Sequence, residues 1–132
     1  MREIRVRTER QSQVVDITRD VRAAVEGSGG AAVVVYVPHT TAGVTINEHA
    51  DPAVARDHEM ALERIVGDDW SWEHVEPHEQ NAPGHVRTSL MGASVVVPLR
   101  DDGSLALGTW QGIFLCEFDG PRDRTVYVTV LR

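Results

Sequence analysis

Seven apolar residues in a row, Ala31 to Val37, are closed by Pro38 and followed by His39-Thr40-Thr41. The run is too short to span a bilayer, which takes about 20 residues as a helix. It is rich in β-branched valine and apolar on both faces. Over Ala31 to Pro38 it therefore reads as a central, buried strand. The other elements are read outward from it.

Upstream, Arg2 to Thr8 is a strand candidate with Ile4 and Val6 on one face, and Gln13 to Ile17 is a second. Thr18 is positioned to cap a short helix, Arg19 to Glu26, that stops at Gly27. Downstream, Ala42-Gly43 reads as a turn before a short strand, Val44 to Asn47. Asp51-Pro52 is a strong helix start, a capping side chain followed by proline at the first helical position. Val54, His58, Ala61, Leu62 and Ile65 then recur at helical spacing, with Arg56, Glu59, Glu63 and Arg64 on the other face, and Gly67 ends the helix. Asp68 to Gly84 is a long loop carrying Trp70, Trp72, Pro77 and Pro83, and loops of that length inside one domain are often functional. A short helix from His85 to Met91 ends at Gly92. Ala93 to Leu99 is a strand, joined through the Asp101-Asp102-Gly103 turn to Ser104 to Leu107. Trp110 to Phe118 and Arg124 to Leu131 complete the set, the last with Val126, Val128 and Val130 alternating with Tyr127 and Thr129. The chain, 132 residues long, is one strand-rich domain with one substantial helix.

Composition closes off several functions. A net charge of −7 disfavours general binding to nucleic acid, whose phosphates require clustered positive charge. All 13 basic residues are arginine, so Schiff-base lysines and a phosphate-loop lysine are absent. Cys116 is the only cysteine, which excludes an internal disulfide and a cysteine-rich zinc site. It lies in the apolar run Ile113 to Cys116, where a buried, inert thiol is expected. The N-terminal residues alternate charged and apolar side chains instead of forming a signal sequence, so the expected location is the cytoplasm.

Chemistry concentrates where strands end. His39-Thr40-Thr41 follows the central strand, Asn47-Glu48-His49 follows the next, and His74 and His85 bracket the second half of the long loop. Three neutral imidazoles with an open position suit a catalytic metal, and imidazole also serves as acid or base near neutral pH. The spacing matches no local zinc signature. His58 falls on the apolar stripe and reads as a satisfied core histidine, His78 as solvated loop, and His49 as a residue that helps the helix begin. Gly108-Thr109-Trp110-Gln111-Gly112 is either a bulge with a packed tryptophan or a pocket wall that stacks on a flat ring. Glu117 inside an apolar strand requires a partner, for which Arg122 and Arg124 are the candidates.

Taken together these stretches resemble the YjbQ-like family, whose members are called secondary thiamine-phosphate synthases. The resemblance is carried by His39-Thr40-Thr41-Ala42; Thr45-Ile46-Asn47-Glu48 with Asp51-Pro52 and Asp57; and Trp72-Glu73-His74. It continues through Pro83-Gly84-His85, Ser89-Leu90-Met91-Gly92, Ser94, Leu107 to Ile113, Glu117, and Asp119-Gly120-Pro121-Arg122. It runs from about Val35 to the C-terminus. Trp72 stands where tyrosine is usual, Thr41 replaces a frequent serine, and Asn81 stands where some members carry Asp, which weakens the case for a general base there.

The resemblance implies a compact α+β domain of packed, mainly antiparallel sheets with one main helix and short helices, assembled as a homotrimer. It implies a pocket lined by histidines at a subunit interface, with room for a divalent metal, zinc or magnesium, on His39, His74 and His85. The implied activity joins a pyrimidine diphosphate to a thiazole phosphate and releases pyrophosphate. That activity is attributed to the family as a weak one, so the physiological substrate can differ. On this reading the catalytic residues are His39, His85, Asn47 and Glu48, the last two orienting the imidazoles. Thr40, Thr41, Asn81, Thr109, Trp110, Gln111 and Arg122 bind the phosphorylated substrate. Two other readings remain open at this point: a metal-dependent hydrolase of a small phosphate or amide, and a non-catalytic metal- or small-molecule-binding module.

Overall fold

A computed structural model describes residues 1–132. Seven strands form two antiparallel sheets, accompanied by three helices. The strands are β1 (Arg2–Arg7), β2 (Gln13–Asp16), β3 (Ala32–Tyr36), β4 (Ala42–Glu48), β5 (Ser94–Pro98), β6 (Gln111–Glu117) and β7 (Asp123–Leu131). The helices are α1 (Thr18–Val25), α2 (Pro52–Ile65) and α3 (Ala82–Met91). One sheet runs β1-β7-β3-β5 and the other β2-β6-β4. The α+β architecture with one main helix agrees with expectation.

The core lies between the sheets. Val33, Val35, Val97, Val126 and Val128 enter it from the first sheet, Val44, Ile113 and Leu115 from the second, and Val21 and Val25 from α1. Period-two alternation puts these residues on one face of each strand. In β6 the other face is buried as well, because α2 covers it at Phe114.

Several local expectations give way to the structure. The β3 run is interior to its sheet but is buried on one face only. Val33 and Val35 are sealed, while Val34 is half-buried and Tyr36 is 45% exposed. Continuous hydrophobicity therefore marks an outer face that this chain alone leaves open, shared with Val96 (58% exposed) and Leu131 (45%). Tyr36 stacks on Tyr127 there, at 6.4 Å between ring centroids. Thr18 is the first residue of α1 and does not cap it. Asp16 takes that part, accepting from the Thr18 amide (2.9 Å) and hydroxyl, while the Thr18 hydroxyl accepts from the Ile113 amide (2.8 Å).

Ala42-Gly43 is strand, paired with Glu117 and Cys116, and not a turn. Gly43 is required because a Cβ would sit 2.6 Å from the Gly92 carbonyl oxygen, where α3 crosses β4. Asp51 caps α2 as expected, accepting from the Ala53 amide at 2.9 Å. Glu59, however, belongs to the packed face. It accepts from the Val14 amide (2.8 Å) and from both terminal nitrogens of Arg10, tying α2 to β2. α3 begins at Ala82, three residues before the expected start, with Pro83 in its first turn. Ser104 to Leu107 forms no strand and contributes only a single bridge, Leu99 to Leu105.

Candidate functional site

The candidates divide between the two ends of the β4–β6 pair. At the near end β4 begins and β6 finishes. Glu117, with no exposed surface, accepts from Arg124 Nε (2.9 and 3.1 Å), the Thr8 hydroxyl (2.7 Å) and the amides of Phe118 (3.1 Å) and Asp119 (3.0 Å). Arg124 also donates to Glu117 through Nη2, and that nitrogen reaches the Thr41 hydroxyl at 2.8 Å. Burial opposes the Glu117 charge, but Arg124, Thr8 and the Asp119 amide outweigh it and hold the carboxyl below its usual range. Of the two expected partners, Arg124 is the one used. Thr41, 5% exposed, is committed to this network and faces no open space.

His39 sits above it. Its Nε2 accepts from the Thr125 amide at 2.9 Å, so the ring proton belongs on Nδ1. Burial, with Arg124 adding to it, lowers the His39 pKa and keeps the ring neutral. His39 thus spends one nitrogen on holding β7 to the end of β3.

His74 and His85 meet edge to face, with 5.3 Å between ring centroids. His85 Nδ1 lies 3.1 Å from the Thr40 carbonyl and must donate to it, leaving Nε2 with a free lone pair. The His74 tautomer is set by a longer chain. Asp119 Oδ2 accepts from Asn81 Nδ2 at 2.8 Å, which turns the Asn81 amide oxygen toward His74. His74 Nε2 lies 3.0 Å from that oxygen and donates, so Nδ1 is free. Arg122 secures Asp119 through Nη2 (2.9 Å) and Nε (2.7 Å to the carbonyl), keeping Nη1 for other contacts. Asn81 is thus an orienting residue. Asp119, the residue that orients it, was legible only as part of the Asp119-Gly120-Pro121-Arg122 stretch.

The far end lies roughly 20 Å away, the length of a seven-residue strand at about 3.3 Å per residue. There Glu48 pairs with Gln111, and the His49 amide donates to the Trp110 carbonyl at 2.9 Å. Trp110 is 63% exposed. Gln111 folds back to accept from the Gly108 amide at 2.8 Å. Asn47 Nδ2 lies 3.3 Å from His58 Nε2, whose Nδ1 donates to the Val54 carbonyl at 2.8 Å. His58 is half-buried with both ring nitrogens occupied, and Asn47 orients this imidazole instead of the near-end pair. His49, read as a helix-starting residue, instead bonds Asp16 through Nδ1 at 3.0 Å. His78 is exposed loop. Burial pushes the Cys116 thiol up to about 12, which leaves it inert at neutral pH.

The structure therefore brings together His39, Thr40, Thr41, His74, Asn81, His85 and Arg122. It leaves Asn47, Glu48, Thr109, Trp110 and Gln111 at the opposite end of the same strands. Within one chain no three His, Cys, Asp or Glu side chains converge in the manner of a metal site. His39 Nε2 is already bonded, so of the three expected metal ligands His74 and His85 are the ones with lone pairs to offer. Beside them, a cleft of about 450 Å3 runs along the loop, lined by Trp70, Trp72, His74 and Gln80. Trp70 and Trp72 stack at 5.5 Å between ring centroids. Larger clefts at the Gly27–Gly30 and Asp101–Gly103 turns contain no histidine.

A family model described as UPF0047 protein YjbQ-like matches residues 2–132. The UPF0047 protein YugU of Bacillus subtilis is 42% identical over 135 residues, covering 99% of this chain and 98% of that protein. A UPF0047 protein of Methanocaldococcus jannaschii is 43% identical over 129 residues, covering 96% of this chain and 90% of its own length. Among solved structures, an uncharacterised YjbQ/UPF0047 protein of Clostridium acetobutylicum superposes with a TM-score of 0.93 at 44% identity, covering 99% of this chain and all of that one.

Proposed function

The chain belongs to the UPF0047 protein YjbQ-like family, and on that premise we propose that it is an enzyme of the secondary thiamine-phosphate synthase type. It would join a pyrimidine diphosphate to a thiazole phosphate. The thiazole nitrogen forms a bond to the pyrimidine methylene carbon as the carbon–oxygen bond to the diphosphate breaks and pyrophosphate departs. The reading rests on the His74–His85 pair, two imidazoles in contact, each with one nitrogen committed and the other free. With a proton taken up on each free nitrogen, such a pair would donate two charge-assisted hydrogen bonds to a departing polyanion. Arg122, held by Asp119 with Nη1 to spare, and the exposed Thr40 hydroxyl add phosphate contacts. His39, neutral and fixed, positions the Thr40 segment from below.

A divalent ion, zinc or magnesium, would find two imidazole donors here and would take its remaining ligands from a neighbouring copy or from solvent. The open outer face of the first sheet, with Val34, Tyr36, Val96 and Leu131, supports assembly of several copies. In the homotrimer we propose, Thr109, Trp110 and Gln111 of one copy would complete the histidine site of another, with Trp110 stacking on the pyrimidine. No helix is long and apolar enough to cross a membrane. We place the enzyme in the cytoplasm.

Pyrophosphate release from the paired phosphorylated substrates tests the proposal. His85→Ala should lower the rate by about 100-fold or more, the scale of a lost acid or base. Full activity in His85→Ala would refute it. Sedimentation velocity tests the assembly, for which a monomer at micromolar concentration is the opposing result.

A further inference from the structure

The cavity under the start of α2 is built around His49, a residue that the proposed reaction leaves unused. His49 follows β4 and Asp16 ends β2, the two strands that flank β6. The imidazole reaches across β6 at Gly112, where a Cβ would lie 2.6 Å from ring atoms Cγ and Nδ1. Only glycine at 112 allows the ring to sit there.

Asp16 fixes the ring chemically. Its Oδ2 lies 3.0 Å from His49 Nδ1, while Oδ1 is held by the amide and hydroxyl of Thr18. A carboxylate can only accept, so the proton is on Nδ1 and Nε2 carries the lone pair. This is the arrangement by which a carboxylate sets the tautomer of a working histidine. The ring lines a cavity of about 380 Å3, walled on its apolar side by Val14, Ala55 and Phe114.

Charge selects the ligand. Asp16, Glu48, Asp51 and Glu59 line the cavity together with Arg10 and Arg56, so carboxylates outnumber guanidinium groups two to one. Arg10 is spent on Glu59, Asp51 on the α2 cap and Asp16 on His49. The Glu48 carboxylate has no hydrogen-bond or ion-pair partner within the chain, and neither has Arg56, which is exposed. A lone-pair acceptor and a carboxylate beside an apolar wall, in a field that is negative overall, fit a cation bearing N–H donors on a short carbon body. We infer that this cavity is a binding site for a small cationic amine, held by His49 Nε2 and the Glu48 carboxylate. The inference needs no second copy and does not rest on the phosphate chemistry at the near end.

The test uses the full chain labelled with 15N, observing histidine side-chain nitrogens and backbone amides at pH 7.5. Three probes of equal size are added separately: n-butylammonium, butanol and butyrate. The expected result is His49 protonated on Nδ1, with its signals and the Glu48 amide moved by butylammonium at a Kd at least tenfold below that of butanol, and unmoved by butyrate. His49→Gln and Glu48→Gln should each weaken butylammonium at least fivefold, and if the first variant does not fold the second reads the same contact. A proton on Nε2, equal binding of butyrate, shifts confined to His74 and His85, or no shift with any probe overturns the inference.

Discussion

The near and far ends of the β4–β6 pair solve one problem, how to hold a histidine in place, by opposite means. At the near end the support is a buried ion pair. Glu117 and Arg124 use their charges on each other and on Thr8, Thr41 and two backbone amides, and the histidines rest on the backbone that this network fixes. At the far end the support is a gap: Gly112 withholds a side chain so that the His49 ring can cross the strand to Asp16, in partial contact with water. Near-end geometry is therefore inseparable from the fold, whereas the far-end ring can turn without stranding a buried charge.

The largest separation between the ends should come from removing one acid at each. Glu117→Ala leaves Arg124 charged, buried and without its partner, which costs about 3–5 kcal/mol. Asp16→Asn, at a half-exposed position, should cost roughly 1 kcal/mol. Urea unfolding of the two variants measures both, and equal losses would erase the distinction.

The two glycines sharpen it next. In Gly43→Ala the new methyl meets the Gly92 carbonyl, a backbone atom, and Met91 Cβ at 3.3 Å, so α3 must shift and carry His85 with it. A stability loss of about 1–3 kcal/mol is expected, together with a changed His85 environment. In Gly112→Ala the new methyl meets the His49 ring at 2.6 Å, which can turn away, and the His49 Cβ at 2.7 Å, which can move only with its backbone. The far-end variant should lose the His49–Asp16 contact, visible as a changed His49 tautomer in nitrogen spectra, whereas Gly43→Ala should leave that tautomer unchanged.

Acid provides a smaller, graded test. His39 has a lowered pKa in the folded state, so the unfolded chain binds its proton first as pH falls below the ordinary imidazole value of about 6.5. Its contribution to stability is therefore complete above that value and lost as pH falls toward the folded pKa. Glu117 and Asp16 are also lowered, and their contributions fade further down, below the usual carboxylate range. Urea midpoints between pH 7.5 and 5.5 should decline in the native chain and decline less in His39→Asn. The smallest effect belongs to Trp110→Ala, which at 63% exposure should change the stability of the isolated chain by no more than about 0.5 kcal/mol.

Much of this was legible in the sequence. The strand-rich fold followed from alternating valines, and the α2 start from Asp51-Pro52, because both signals are local. His39 stood out because it ends the central strand, while His74 and His85 only bracketed the second half of the long loop and were singled out by the family resemblance. What stayed hidden depends on contacts remote in sequence. Asp119 orients His74 only through Asn81, 38 residues away along the chain. Asp16 meets His49 across 33 residues and a glycine that looks ordinary in the Trp110-Gln111-Gly112 stretch. The β3 run misled in the opposite direction, since a strand apolar on both faces cannot reveal whether its own chain or another copy covers the second face.

The proposed reactive centre is the His74–His85 pair at the near end. Calorimetric titration with pyrophosphate tests it most directly, on the native chain, His85→Ala and His49→Gln. His85→Ala should weaken pyrophosphate binding at least tenfold, and His49→Gln should leave it unchanged. Undiminished binding in His85→Ala, or a loss confined to His49→Gln, would contradict it.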